Sequence, residues 1–81
     1  MLHTELPGKI RSIRRFLNLN QIDLAERLGI PIQAYGKIER GKTNISLVRL
    51  QQIALVFGFE PTQLLQSTEA ELLHMLSKRC A

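Results

Sequence analysis

The stretch Asn20-Gln21-Ile22-Asp23-Leu24-Ala25-Glu26-Arg27-Leu28-Gly29-Ile30-Pro31-Ile32-Gln33-Ala34-Tyr35-Gly36-Lys37-Ile38-Glu39-Arg40-Gly41 decides the fold. Asn20 can cap a helix, and Asp23 three residues later completes a capping-box arrangement. That helix carries Leu24, Ala25 and Leu28 and stops at Gly29, the residue type best suited to a left-handed helix end. A second helix, near residues 31–40, enters at Pro31, carries Tyr35 and Ile38 on one side and ends at Gly41. Two short helices that cross steeply need a small residue where they meet and a turn tolerant of positive φ. Ala25 supplies the first and Gly29 the second. Leu24, Leu28, Tyr35 and Ile38 then form a shared apolar seam, with the Tyr35 hydroxyl expected at its rim, and the second helix projects outward.

On either side of this pair the apolar spacing stays helical, with no alternating run that reads as a strand. Leu6, Ile10, Ile13 and Leu17 give a first helix over about 6–17, with Pro7 near its start. Ser46 caps a helix through Leu47, Leu50, Ile53, Ala54 and Phe57 that Gly58 closes, and Pro61 opens a short turn of helix holding Leu64 and Leu65. Thr68-Glu69-Ala70-Glu71 is a second capping box, followed by Leu72, Leu73, Leu76 and Cys80. Six short helices joined by brief loops make an all-α fold.

The chain has 81 residues, 44 % hydrophobic and 22 % charged, the composition of a folded domain rather than a disordered segment. The length suits one domain, and a chain this short buries only about 60 % of its unfolded surface. One cysteine excludes an intrachain disulfide, and no paired metal-ligand spacing is present. The longest apolar run, Ile53 to Phe59, is far short of the ~20 residues that span a bilayer. The opening Met1-Leu2-His3-Thr4-Glu5 lacks the pattern of a signal peptide, so a cytoplasmic, reduced setting is expected. The net charge is +4, and all of the excess lies in residues 1–42, where eight basic side chains face four acidic ones. A one-sided basic excess favours a polyanionic partner, because lysine and arginine displace the counterions condensed on phosphate.

At this point the chain resembles the lambda-repressor/Cro-like (XRE-type) helix-turn-helix family, over about Ile10 to Leu65. The resemblance is carried by Gln21 opening the second helix, Leu24-Ala25 and Leu28-Gly29 around the turn, and Ile38-Glu39-Arg40-Gly41-Lys42 after the third. Ser46-Leu47, Gly58 and Pro61 fall in register behind them. Tyr35, where an aliphatic residue is usual, and Pro31, where a serine-type cap is common, depart from the pattern. The resemblance implies a compact five-helix DNA-binding core, usually dimeric, on operators with two-fold symmetry. It further implies phosphate contacts from Gln21, Arg40, Lys42, Thr43 and Asn44, which straddle the DNA backbone, and a structural ion pair between Arg14 and Glu39. Glu39 is then not a catalytic acid.

The helix near 31–40 can be read by angle. At about 100° per residue, Gln33, Gly36, Lys37 and Arg40 cluster on one face with Ile32 at its edge, opposite Tyr35 and Ile38. Eight residues make a rod of about 12 Å, close to the width of the major groove. Gln33 can pair with adenine, Lys37 can donate to guanine, and Ile32 can meet a thymine methyl. Glycine inside a helix costs about 1 kcal/mol against alanine. Gly36 is therefore expected to let the backbone approach the base edges, with neutral drift at a tolerant site as the alternative.

No catalytic constellation converges. His3, His74 and Cys80 share no short-spacing motif that would hold a metal, and no third residue orients Cys80 and His74 as a nucleophile pair. No cofactor is implied. Residues 5–66 are read as the helix-turn-helix domain and 67–81 as an additional amphipathic C-terminal helix. That helix either folds back as a sixth core helix or, the favoured expectation, builds a homodimer interface from Leu64, Leu65, Leu72, Leu73, Met75 and Leu76. The functional expectation is a non-enzymatic, sequence-specific binder of double-stranded DNA, a transcriptional regulator acting as a repressor without an effector domain, cytoplasmic and nucleoid-associated when bound. Two alternatives stand beside it: an antitoxin whose terminal segments seize a toxin, and a protein-interaction module that has lost DNA binding.

Overall fold

A computed structural model describes residues 5–80 and contains α1 (Leu6–Phe16), α2 (Gln21–Leu28), α3 (Ile32–Glu39), α4 (Leu47–Phe57), α5 (Pro61–Gln66) and α6 (Glu69–Cys80). The helix boundaries follow from local chemistry. Asn20 accepts from the Asp23 N–H while Asp23 accepts from the Asn20 N–H, and Thr68 and Glu71 do the same at the start of α6. Ser46 Oγ accepts from the Arg49 N–H and opens α4. Gly29 takes φ +71°, so that the Ile30 N–H reaches back to the Ala25 carbonyl and satisfies the end of α2. The first helix ends one residue earlier than its apolar spacing suggests. Asn18 adopts φ +60°, a left-handed conformation that asparagine tolerates better than most residues, and turns the chain toward α2.

One apolar core serves all six helices. Leu24, Ala25, Leu28, Tyr35 and Ile38 are buried at the α2–α3 crossing, as the spacing predicts, and they join Ile10 and Ile13 of α1, Leu50, Ile53, Ala54 and Phe57 of α4, and Leu64 of α5. The C-terminal helix belongs to the same core. Leu72 and Leu76 are 0 % and 2 % exposed, and α6 packs against α1. α6 is thus folded back on the core, the first of the two arrangements its sequence allows. Leu64, Leu72 and Leu76 are consumed within the chain, and Leu65, Leu73 and Met75 are half-buried against the core. α1 is therefore packed against α3, α5 and α6 together.

Two cations lock this arrangement by completing helix ends. Lys9 is buried, and its Nζ donates to the Leu64 and Leu65 carbonyls at 3.0 and 3.2 Å, in the last turn of α5 where carbonyls lack intrahelical partners. Arg79 reaches from α6 to the end of α4, donating to the Phe57 and Gly58 carbonyls at 3.0 and 2.7 Å while its guanidinium lies 4.6 Å from the Phe59 ring centroid. Among the described residues, no helix is long and apolar enough to cross a membrane.

Candidate nucleic-acid interface

The inward side of α3 is held by a buried polar network. Glu39 is 3 % exposed, and both of its carboxylate oxygens accept from Arg14, Nη2 at 3.1 Å from Oε1 and Nε bonded to Oε2. Gln21 Nε2 donates to Oε1 at 3.1 Å, and the Tyr35 hydroxyl donates to Oε2. Arg14 also donates to the Leu19 carbonyl, and Arg11 donates to the Glu39 carbonyl at 3.1 Å. One carboxylate therefore ties α1, α2 and α3 together, and no buried side-chain N or O among the described residues lacks a partner.

Burial pushes the Glu39 carboxyl up, but the hydrogen bonds from Arg14, Tyr35 and Gln21 outweigh it and hold the group below the ordinary carboxylate range. The same hydrogen bond to Glu39 raises Arg14 against the opposing effect of its burial. Burial first, and then the hydrogen bond to Glu39 and its charge, push the Tyr35 phenol well above its usual value. The Tyr35 hydroxyl is thus not at the rim, as its position in the seam suggests. Tyr35 is 0 % exposed, and α3 places it one turn before Glu39, where a phenol completes the acceptor that an aliphatic residue could not reach.

The outward side of α3 carries Ile32, Gln33 and Lys37 in solvent, Ile32 at 37 % exposure. Gln33 and Lys37 line a groove of about 670 Å3 together with Thr43, Asn44, Ser46 and Arg49, so two of the base-reading candidates and two of the phosphate candidates share one surface. Thr43 and Asn44 also border a second cleft of about 660 Å3 with Arg40, on the side of Leu6 and Pro7. Lys42 is exposed just after α3. Gln21 stands apart, half-buried on Glu39. A phosphate contact from it must use its second amide proton or its backbone N–H at the start of α2. Arg49 is a groove residue that sequence reasoning missed. It lies in the first turn of α4, an interval no local motif reports, and its Nη1 donates to Gln52 at 2.7 Å.

Gly36 lies on the outward arc of α3 but is buried, with the end of the Arg40 side chain over it. The charge pattern is also sharper than the sequence count implies. Lys9, Arg11 and Arg14 serve the fold, whereas Lys37, Arg40 and Lys42 remain exposed within six consecutive residues whose single acid, Glu39, is neutralised by Arg14. Among the candidates set aside, His74 is exposed. His3 and the side chain of Cys80 lie outside the described residues.

Comparison with known proteins agrees with this geometry. The helix-turn-helix family model matches residues 10–64, more than half of the chain. The uncharacterized HTH-type transcriptional regulator y4wC of Sinorhizobium fredii (strain NBRC 101917 / NGR234) is 33 % identical over 60 residues, covering 74 % of this chain and 42 % of the relative. A second protein of that organism, the uncharacterized HTH-type transcriptional regulator y4aM, is 35 % identical over 54 residues, covering 67 % of this chain and 38 % of the relative. The chain spans less than half the length of either relative. No solved structure matches it. The matched segment holds the α2–turn–α3 unit and the Arg14–Glu39 pair that seats it, and the chain belongs to the lambda-repressor/Cro-like (XRE-type) helix-turn-helix family.

Proposed function

We propose that this protein binds double-stranded DNA by laying α3 in the major groove and regulates transcription, as a repressor, by occupying an operator. The observation that carries this reading is the division of α3 into two faces. One is clamped through Tyr35 and Glu39 to α1 and α2, and the other offers Gln33 and Lys37 to solvent beside a cluster of free cations. Gln33 suits an adenine edge, Lys37 the acceptors of guanine, and Ile32 a thymine methyl. Arg40, Lys42, Thr43, Asn44 and the start of α2 at Gln21 contact the flanking phosphates and set register without reading sequence. Such a role places the protein in the cytoplasm, on the nucleoid when bound.

A single recognition helix discriminates weakly, so the operator is read by two copies about one helical turn apart, as a homodimer. With the α5 and α6 leucines buried, the large apolar side chains most open to solvent among the described residues are on α4: Leu47, Val48 and Leu55, the last 81 % exposed. The dimer contact belongs there. Capture of a toxin by residues 66–81 would need the apolar stripe of α6, which this fold buries. A pure interaction module leaves the Lys37–Arg40–Lys42 cluster without a purpose.

The test is fluorescence anisotropy with a random-sequence 25-base-pair duplex across a salt series. Affinity should fall steeply with salt, and Lys42→Ala should weaken binding to every duplex while flattening the log–log slope by about one unit. Binding that is absent, or indifferent to salt, contradicts the proposal.

A further inference from the structure

Glycine at position 36 calls for an explanation that its backbone does not provide. Gly29, Gly41 and Gly58 are the glycines at positive φ, and Gly36 is not among them. It sits inside α3, where alanine would favour the helix. The atoms nearest to a Cβ built at this position are those of the Arg40 guanidinium, Nη1 at 2.9 Å, Cζ at 3.8 Å and Nη2 at 3.9 Å. The Arg40 N–H also donates back to the Gly36 carbonyl at 3.1 Å, so backbone and side chain of Arg40 both close on this one residue. The side chain still leaves Arg40 exposed overall, and among the described residues no carboxylate or carbonyl accepts from its guanidinium.

We infer that Gly36 is a seat that holds the Nη1 end of the Arg40 guanidinium against the outward face of α3, making Arg40 a pre-positioned donor to a DNA phosphate. This rests on the DNA-binding reading above and adds a positioning residue to it. A free arginine samples many rotamers and loses that freedom when it binds. A guanidinium already resting on the helix surface, beside the cleft it shares with Thr43 and Asn44, has less to lose and keeps its donors unspent. Any side chain at position 36 takes the seat. The arginine then swings off the helix, which a flexible side chain can do without disturbing the fold.

The experiment is a double-mutant cycle of Gly36→Ala and Arg40→Ala on the full chain, read by thermal melting and by anisotropy with a random-sequence 25-base-pair duplex at low salt. Gly36→Ala should melt no lower than wild type and bind about two- to tenfold more weakly, the cost of immobilising one long side chain. In the Arg40→Ala background the same substitution should change affinity little, because the group it displaces is gone. Equal binding by Gly36→Ala and wild type overturns the seat. A loss that persists undiminished in the Arg40→Ala background, or a clear drop in melting temperature, also overturns it. If wild type itself shows no salt-dependent binding, the DNA-binding reading fails first, and that outcome is distinguishable from the others.

Discussion

Glu39→Gln is expected to remove a large share of the stability of this fold. The substitution keeps the shape of the side chain but leaves Arg14, 7 % exposed, as a buried charge with no counter-ion, and it turns one acceptor of the network into a donor. Breaking a buried pair in this way costs about 3–5 kcal/mol, against a total of about 5–15 kcal/mol for a small domain. For a domain of this size each kcal/mol moves the melting temperature by about 4–8 °C. Denaturant unfolding followed by circular dichroism reads the effect. Replacing both partners, Arg14→Met with Glu39→Gln, should recover part of the loss, since the double variant no longer buries an unpaired charge. A Glu39→Gln protein within 1 kcal/mol of wild type would contradict the network's role.

The pH dependence follows with a defined sign. The Glu39 carboxyl is held below its ordinary value, so its contribution is complete above the unfolded carboxylate pKa and is lost as pH falls through the lower folded value. Tyr35 acts at the other end. Its phenol is raised, so stability declines as pH rises past the ordinary phenol value of about 10, where the unfolded chain ionises first. Glu39→Gln should flatten the acid limb relative to wild type.

Leu72→Ala is the second large effect. Leu72 is 0 % exposed in the core beneath α6, and truncation of such a side chain costs about 2–5 kcal/mol through lost burial and the cavity left behind. The loss should be independent of protein concentration, because the contact is within one chain. If α6 were instead a dimerisation element, Leu72→Ala would give a folded monomer of nearly unchanged melting temperature, visible by sedimentation.

How much of this was legible beforehand depends on the range of the interaction. Helix starts and stops are set within a few residues. Asn20 with Asp23, Ser46, Thr68 with Glu71, and Gly29 could therefore be read directly, and with them the α2–turn–α3 unit. The destination of α6 could not. Its leucine stripe announces that something covers it, but not whether that is α1 or a second copy. The long cations were opaque for the same reason. Lys9 meets carbonyls 55 and 56 residues away and Arg79 meets ones 21 and 22 away, so both counted as surface charge until the fold closed them onto helix ends. At the candidate interface, helical angle alone placed Ile32, Gln33 and Lys37 outward. It put Gly36 there too, but could not foresee that Arg40, one turn later, would lie across it. Arg14 and Glu39 were paired by family resemblance, whereas Gln21 and Tyr35 joining them required the three-dimensional crossing of α1, α2 and α3.

Whether the outward face of α3 reads base pairs is decided by selecting binding sites from a random duplex library in parallel with wild type, Gln33→Ala and Lys37→Ala. Wild type should enrich a two-fold symmetric motif. Each variant should lose preference at its own position in both half-sites, by about 1–3 kcal/mol of discrimination, while keeping the rest of the motif. An unenriched library, or the same motif from all three proteins, would show that Gln33 and Lys37 do not read DNA.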